Sequence, residues 1–192
     1  MAATLDLKYE GKWWVLLPNS FPAGDDSSLT EWSQRVALQY QAQPPWDAPP
    51  FDAVLPQYLA EQFVAIDSRR SAALWFCPSG LPADAYVHIT LTDDTNAEET
   101  SYEQIVGRLT SQLDFTMEHV ATKNLGAGVA FARIRAGKSD GQKTLPSYGE
   151  TTYLFHPPGY LLVISARSAD PRMIGLMSQG LWDIIESITI ND

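Results

Sequence analysis

One cysteine, three histidines and 13 lysines and arginines make a chain of 192 residues poor in the chemistry that thiols, metals and phosphates demand. A lone Cys77 excludes an intramolecular disulfide. His88, His119 and His156 are scattered, and none has a second histidine at a ligand spacing such as H-x-x-x-H, so no metal site is expected. Gly137–Lys138–Ser139–Asp140–Gly141 has the letters G-x-S-x-G, but Asp140–Gly141 reads as a turn and the strand-to-helix context of a nucleophile elbow is missing. Gly137–Lys138–Ser139 spells GKS, but the glycine that a phosphate-binding loop needs five residues earlier is Ala132. No cofactor motif remains. Long apolar runs are also missing. Trp13–Leu17 and Tyr160–Ala166 are too short to span a bilayer, and Met1–Glu10 lacks a signal-type apolar core, so the expected setting is cytoplasmic.

Basic charge is outweighed as well. The 23 acidic residues leave a net charge of −10, which repels phosphates and anionic headgroups at long range. Neither nucleic acid nor a membrane surface is an expected partner. The paired acids Asp25–Asp26, Asp93–Asp94 and Glu98–Glu99 fall in polar stretches, where a solvated carboxylate makes a poor proton donor at neutral pH.

What is present is a globular composition, 45% hydrophobic and 19% charged, of a length that can bury a core as a single domain over residues 1–192. Gly11–Leu17 reads as a first strand. Ser28 and Glu31 form a capping box for a helix that buries Leu29, Trp32, Val36 and Tyr40. Four prolines stiffen Gln43–Phe51, and a second helix starts at Leu55 or Pro56 and runs to about Ser68. Ala72–Cys77 and Ala85–Thr92 read as paired strands. Thr100 or Ser101 caps a third helix with Tyr102, Ile105, Leu109 and Leu113 on one face. Phe115–Ala136 holds two strands around KNLGAG. Glu150–His156 and Tyr160–Arg167 form a hairpin whose second strand is apolar enough to be central. Asp170 and Pro171 open a last helix with Ile174, Met177, Leu181, Ile184 and Ile188 in one stripe, and Ser187–Ile190 ends as a short strand. The expected class is α+β, a mainly antiparallel central sheet with helices packed on both faces as an α/β/α sandwich.

The ends of the chain carry a resemblance. The early aromatic strand WWVLLPNSF and the closing IIESITI, an amphipathic helix feeding a strand, resemble the PsbP-like superfamily. That resemblance implies an antiparallel sheet between helices and a role in binding another macromolecule, and it carries over no catalytic residue.

Two functional expectations follow. The first is a non-enzymatic protein-binding adaptor or chaperone-like module, with a protein partner or a second copy of the chain. Its contacts are Trp46 and Phe51 on the proline-stiffened loop, and Phe131, Arg133 and Arg135 on one strand face. The same basic strand also reads as an edge protected by charge. The second is a small hydrolase or ligand-binding enzyme whose site forms in three dimensions, for instance from Cys77, His88 and Asp114.

Overall fold

The computed structural model describes residues 3–41, 53–62, 64, 70–78, 83–94, 101–109, 117–135 and 148–191. Its strands are β1 (Thr4–Asp6), β2 (Trp14–Leu17), β3 (Ser71–Phe76), β4 (Ala85–Asp93), β5 (Met117–Thr122), β6 (Gly126–Arg135), β7 (Tyr148–Phe155), β8 (Tyr160–Ser168) and β9 (Thr189–Asn191). The helices are α1 (Leu29–Gln41), α2 (Val54–Glu61), α3 (Tyr102–Leu109) and α4 (Pro171–Ser187). Seven strands form an antiparallel sheet in the order β2-β3-β4-β8-β7-β6-β5, while β1 and β9 pair separately and tie the two ends of the chain together.

Alternation along each strand decides which residues meet which helix. Val87, Ile89 and Leu91 of β4, with Leu162, Ile164 and Ala166 of β8, join Met177, Leu181, Ile184 and Ile185 of α4 in the largest cluster. The intervening residues point the other way. There Ala73 and Trp75 pack with Trp32 and Val36 of α1 and Leu59 of α2, and Val129, Phe131 and Leu154 pack with Ile105 and Val106 of α3. β8 sits between β4 and β7, as its unbroken apolar run requires.

The helix starts follow local chemistry. The Ser28 hydroxyl accepts from the Glu31 N–H at 3.3 Å, and the Glu31 carboxylate reaches one residue further back than expected, to the N–H and hydroxyl of Ser27. Ser101 and Gln104 exchange the same reciprocal bonds at α3. Asp170 caps α4 through Oδ1, 3.0 Å from the Arg172 nitrogen, with Pro171 in the first helical position.

Three expectations need correction. The first strand of the sheet opens at Trp14, because the Glu10 carbonyl accepts from both Trp13 and Trp14 N–H and holds Gly11–Trp13 in a turn. β6 is no edge strand, since β5 and β7 flank it. Asp26 is not solvated but buried at 6% exposure, its carboxylate held 2.8 Å from the Arg35 guanidinium. Trp46, Phe51 and Asp114 lie outside the described residues, as do Phe63 and Ile66 within the span expected for the second helix.

Candidate functional site

A single helix cannot cover one face of a seven-stranded sheet. Six inter-strand spacings of about 4.8 Å make the sheet roughly 29 Å wide, against about 10 Å for a helix with its side chains. α4 lies over the middle strands as a ridge, and a depression remains along each flank.

The first depression is a cleft of about 470 Å³ between α4 and the start of β2, walled by Tyr9, Trp13, Phe76 and Leu176. Trp14 anchors it from beneath. Its indole lies close along α4 because residue 180 is glycine, where a Cβ would stand 3.2 Å from the indole nitrogen. Trp13 stacks on Phe76 with ring centroids 6.4 Å apart and planes 8° from parallel. Consecutive residues of the expected Gly11–Leu17 strand would point to opposite faces, yet Trp13 and Trp14 both meet Phe76, since the turn before Trp14 breaks the alternation. Large apolar groups stay in water here: Trp13 is 40% exposed, Tyr9 39% and Leu176 69%. Acids Glu10 and Asp183 and the amine of Lys8 stand around the rim.

The second depression, about 730 Å³, opens between the other flank of α4 and strands β5 to β7. Small Ala130, Ala132 and Thr151 form its floor, and Tyr153 and Trp182 stand as walls, with ring centroids 6.2 Å apart. Glu118 is opposite Ala130, which in turn is opposite Tyr153. Burial pushes the Tyr153 hydroxyl above its ordinary value, and the Glu118 carboxylate adds to the rise.

The other sheet face carries a charged rung. Arg133, Glu150 and Arg167 are cross-strand neighbours on β6, β7 and β8. Glu150, 2% exposed, accepts from Arg133 Nε at 2.5 Å with one oxygen and from Arg167 Nε at 2.8 Å with the other. Burial alone would lower the Arg167 guanidinium, but Glu150 and Tyr86 outweigh it and hold it above its ordinary value. Phe131 was expected as an outward contact. Its ring is buried beneath α3 with Ile105 and Val106, so it is a core residue, and the Arg133 guanidinium stands 5.9 Å from its centroid. Arg135 closes β6, and its side chain lies outside the described residues.

Of the groups expected for hydrolysis, the two among the described residues, Cys77 and His88, do not converge. Cys77 and His88 belong to the same face, but Cys77 lies four residues beyond Ala73, the residue opposite His88, an offset of about 13 Å. Burial pushes the Cys77 thiol up to about 12. The native thiol is expected to resist a disulfide reagent at mildly alkaline pH and to react fully in concentrated guanidinium chloride; rapid labelling of the folded protein would contradict its burial. His88 is lowered by burial and by the Arg167 charge. Its Nε2 stands 2.8 Å from the Ser71 hydroxyl, and that hydroxyl donates to the Ile89 carbonyl at 3.1 Å, which ties the ring to β3 and β4. His156 is half-buried against the Tyr102 ring, with centroids 5.0 Å apart. Among the described residues no three His, Cys, Asp or Glu side chains gather as metal ligands, and no helix is long and apolar enough to cross a membrane.

No protein-family model matches the chain, and no curated protein matches its sequence. Among solved structures it is similar to LpqN, a protein involved in cell envelope biogenesis of Mycobacterium tuberculosis. The two are 17% identical over 100% of this chain and 85% of that one, with a TM-score of 0.42. A likeness at that level carries no argument about function.

Sequence reasoning missed Tyr9, Leu176, Tyr153 and Trp182 as cleft walls. Leu176 and Trp182 left a local signal, as apolar residues on α4 outside the Ile174–Met177–Leu181–Ile184 stripe.

Proposed function

We propose that the chain is a non-enzymatic protein-binding module, of the adaptor or chaperone-like kind, and that the Trp13–Leu176 cleft is its docking site. One observation supports the reading above the rest: three large apolar side chains, Tyr9, Trp13 and Leu176, remain exposed around one concavity. Exposed apolar groups clustered in this way mark contact surfaces, and an aromatic held by stacking loses little entropy when a partner arrives. The occupant that fits is an apolar protein segment; the net charge of −10 favours a basic partner at long range, while at the rim Glu10 is already paired with Lys12 at 3.0 Å. The three-layer α/β/α arrangement, PsbP-like ancestry and a cytoplasmic setting belong to the same proposal, as do Trp46 and Phe51 as contacts. The hydrolase reading has less support, since Cys77 is sealed and far from His88.

A photo-crosslinking residue placed at Leu176 in the native cell tests it, with exposed Leu38 on α1 as the control. A discrete product at position 176, absent at position 38, is expected. A product at twice the chain's mass would identify a second copy. Trp13→Ala should weaken capture by about 2 kcal/mol, roughly thirtyfold, with the melting temperature little changed. Equal labelling at both positions, or none, would overturn the proposal.

A further inference from the structure

We infer that the second depression, between α4 and strands β5 to β7, is a binding site for an organic ammonium group. This rests on a different flank of α4 from the docking cleft and does not depend on that reading.

The argument begins with the floor. Ala130, Ala132 and Thr151 are too small to fill the space beneath the flank of α4, so the sheet leaves a hollow of about 730 Å³. That volume suits a small organic molecule. Its walls are aromatic: Tyr153 and Trp182 both line the hollow, with ring centroids 6.2 Å apart and planes tilted by 46°. Glu118 supplies the charge. It is the charged side chain among the described lining residues, and it has no ion-pair partner among the described residues. The rung Glu118–Ala130–Tyr153 places carboxylate and ring two strand spacings apart, about 10 Å, with the alanine between them.

A cation above Ala130 meets a carboxylate on one side and the negative faces of two aromatic rings on the other. An anion there meets repulsion from both, and a neutral ligand gains the apolar contact alone. The Trp182 indole N–H already donates to Glu186 Oε1 at 3.1 Å, so a ligand in the hollow is offered the ring's π system and not a free N–H donor.

The test titrates the full chain with choline and with its neutral isostere 3,3-dimethyl-1-butanol. It follows the Trp182 indole N–H resonance, assigned by its absence in Trp182→Phe. Saturable shifts with choline are expected, with the neutral isostere roughly tenfold weaker. Glu118→Gln should weaken choline about three- to fivefold and leave the isostere unchanged; added salt should weaken choline and spare the isostere. A peptide bearing one trimethyllysine, compared with free choline, tells a protein-borne cation from a small free one. Tighter binding of either upholds the ammonium site. Equal affinity for choline and the isostere, no effect of Glu118→Gln, or no saturable shift with either cation would overturn it. Glu118 is exposed on β5, so its amide variant is expected to fold normally, and an unchanged melting temperature checks that.

Discussion

Replacing Glu150 with alanine is expected to cost about 3 kcal/mol of stability, read as a shift of the urea midpoint at unchanged slope. The carboxylate is nearly sealed from water and neutralises two guanidinium groups, Arg133 on one side and Arg167 on the other. Its removal leaves two positive charges facing each other across β7. Relief is limited for Arg133, whose side chain is 13% exposed, and larger for Arg167 at 35%, which sets the cost near the lower end for a broken buried pair. Glu150→Gln should fall between alanine and wild type, since the amide oxygen still accepts one bond. Arg133→Met, Glu150→Leu and Arg167→Met together should recover most of the loss, because desolvating three charges offsets much of their attraction. A loss below about 1 kcal/mol for Glu150→Ala would mean that the rung is solvated.

Gly128→Ala is expected to destabilise by about 2–3 kcal/mol, by the same measurement. A Cβ at this position would stand 2.5 Å from the Leu154 carbonyl oxygen and 2.5 Å from Cδ1 of Phe155. Phe155 is fully buried in the main core, and the carbonyl belongs to β7, the strand paired with β6. Neither can step aside cheaply: the ring has no vacant space, and the oxygen moves only with the backbone of a central ladder. A strand glycine usually weakens its strand, so its presence here reflects the close approach of ring to backbone. Gly128→Ala combined with Phe155→Leu should relieve the ring contact and keep the carbonyl contact, and so should remain below Phe155→Leu alone. An alanine variant as stable as wild type would show that β6 and β7 slide freely.

The residues involved in these two predictions show what a linear reading can reach. Asp170–Pro171 and Ser28–x–x–Glu31 act within one helical turn, so their chemistry was visible without knowing the fold, and both caps form. The central place of β8 was visible because a strand apolar on both faces has nowhere else to go. Glu150 was invisible as a charge centre. Arg133 and Arg167 each lie 17 residues from it, and register alone makes them neighbours. Phe131 shows the opposite case. Alternation placed it correctly on the face of Arg133, but it could not say that α3 would settle over the phenyl ring and leave the guanidinium partly open.

The candidate sites divide in the same way. Pleating of the expected Gly11–Leu17 strand would put Trp13 and Trp14 on opposite faces; the two Glu10 carbonyl bonds override that by placing Trp13 in a turn. Leu176, Tyr9, Tyr153, Trp182 and Glu118 come from five separate segments or faces, and nothing in their spacing joins them.

By itself, the sequence determined the class of the fold, the helix starts and the partition of each strand into two faces, since these depend on interactions within a few residues. Only the tertiary structure decided which strands border the sheet, which face each helix covers and where two hollows stay open. Those follow from long-range register and from the mismatch between one helix's width and seven strands.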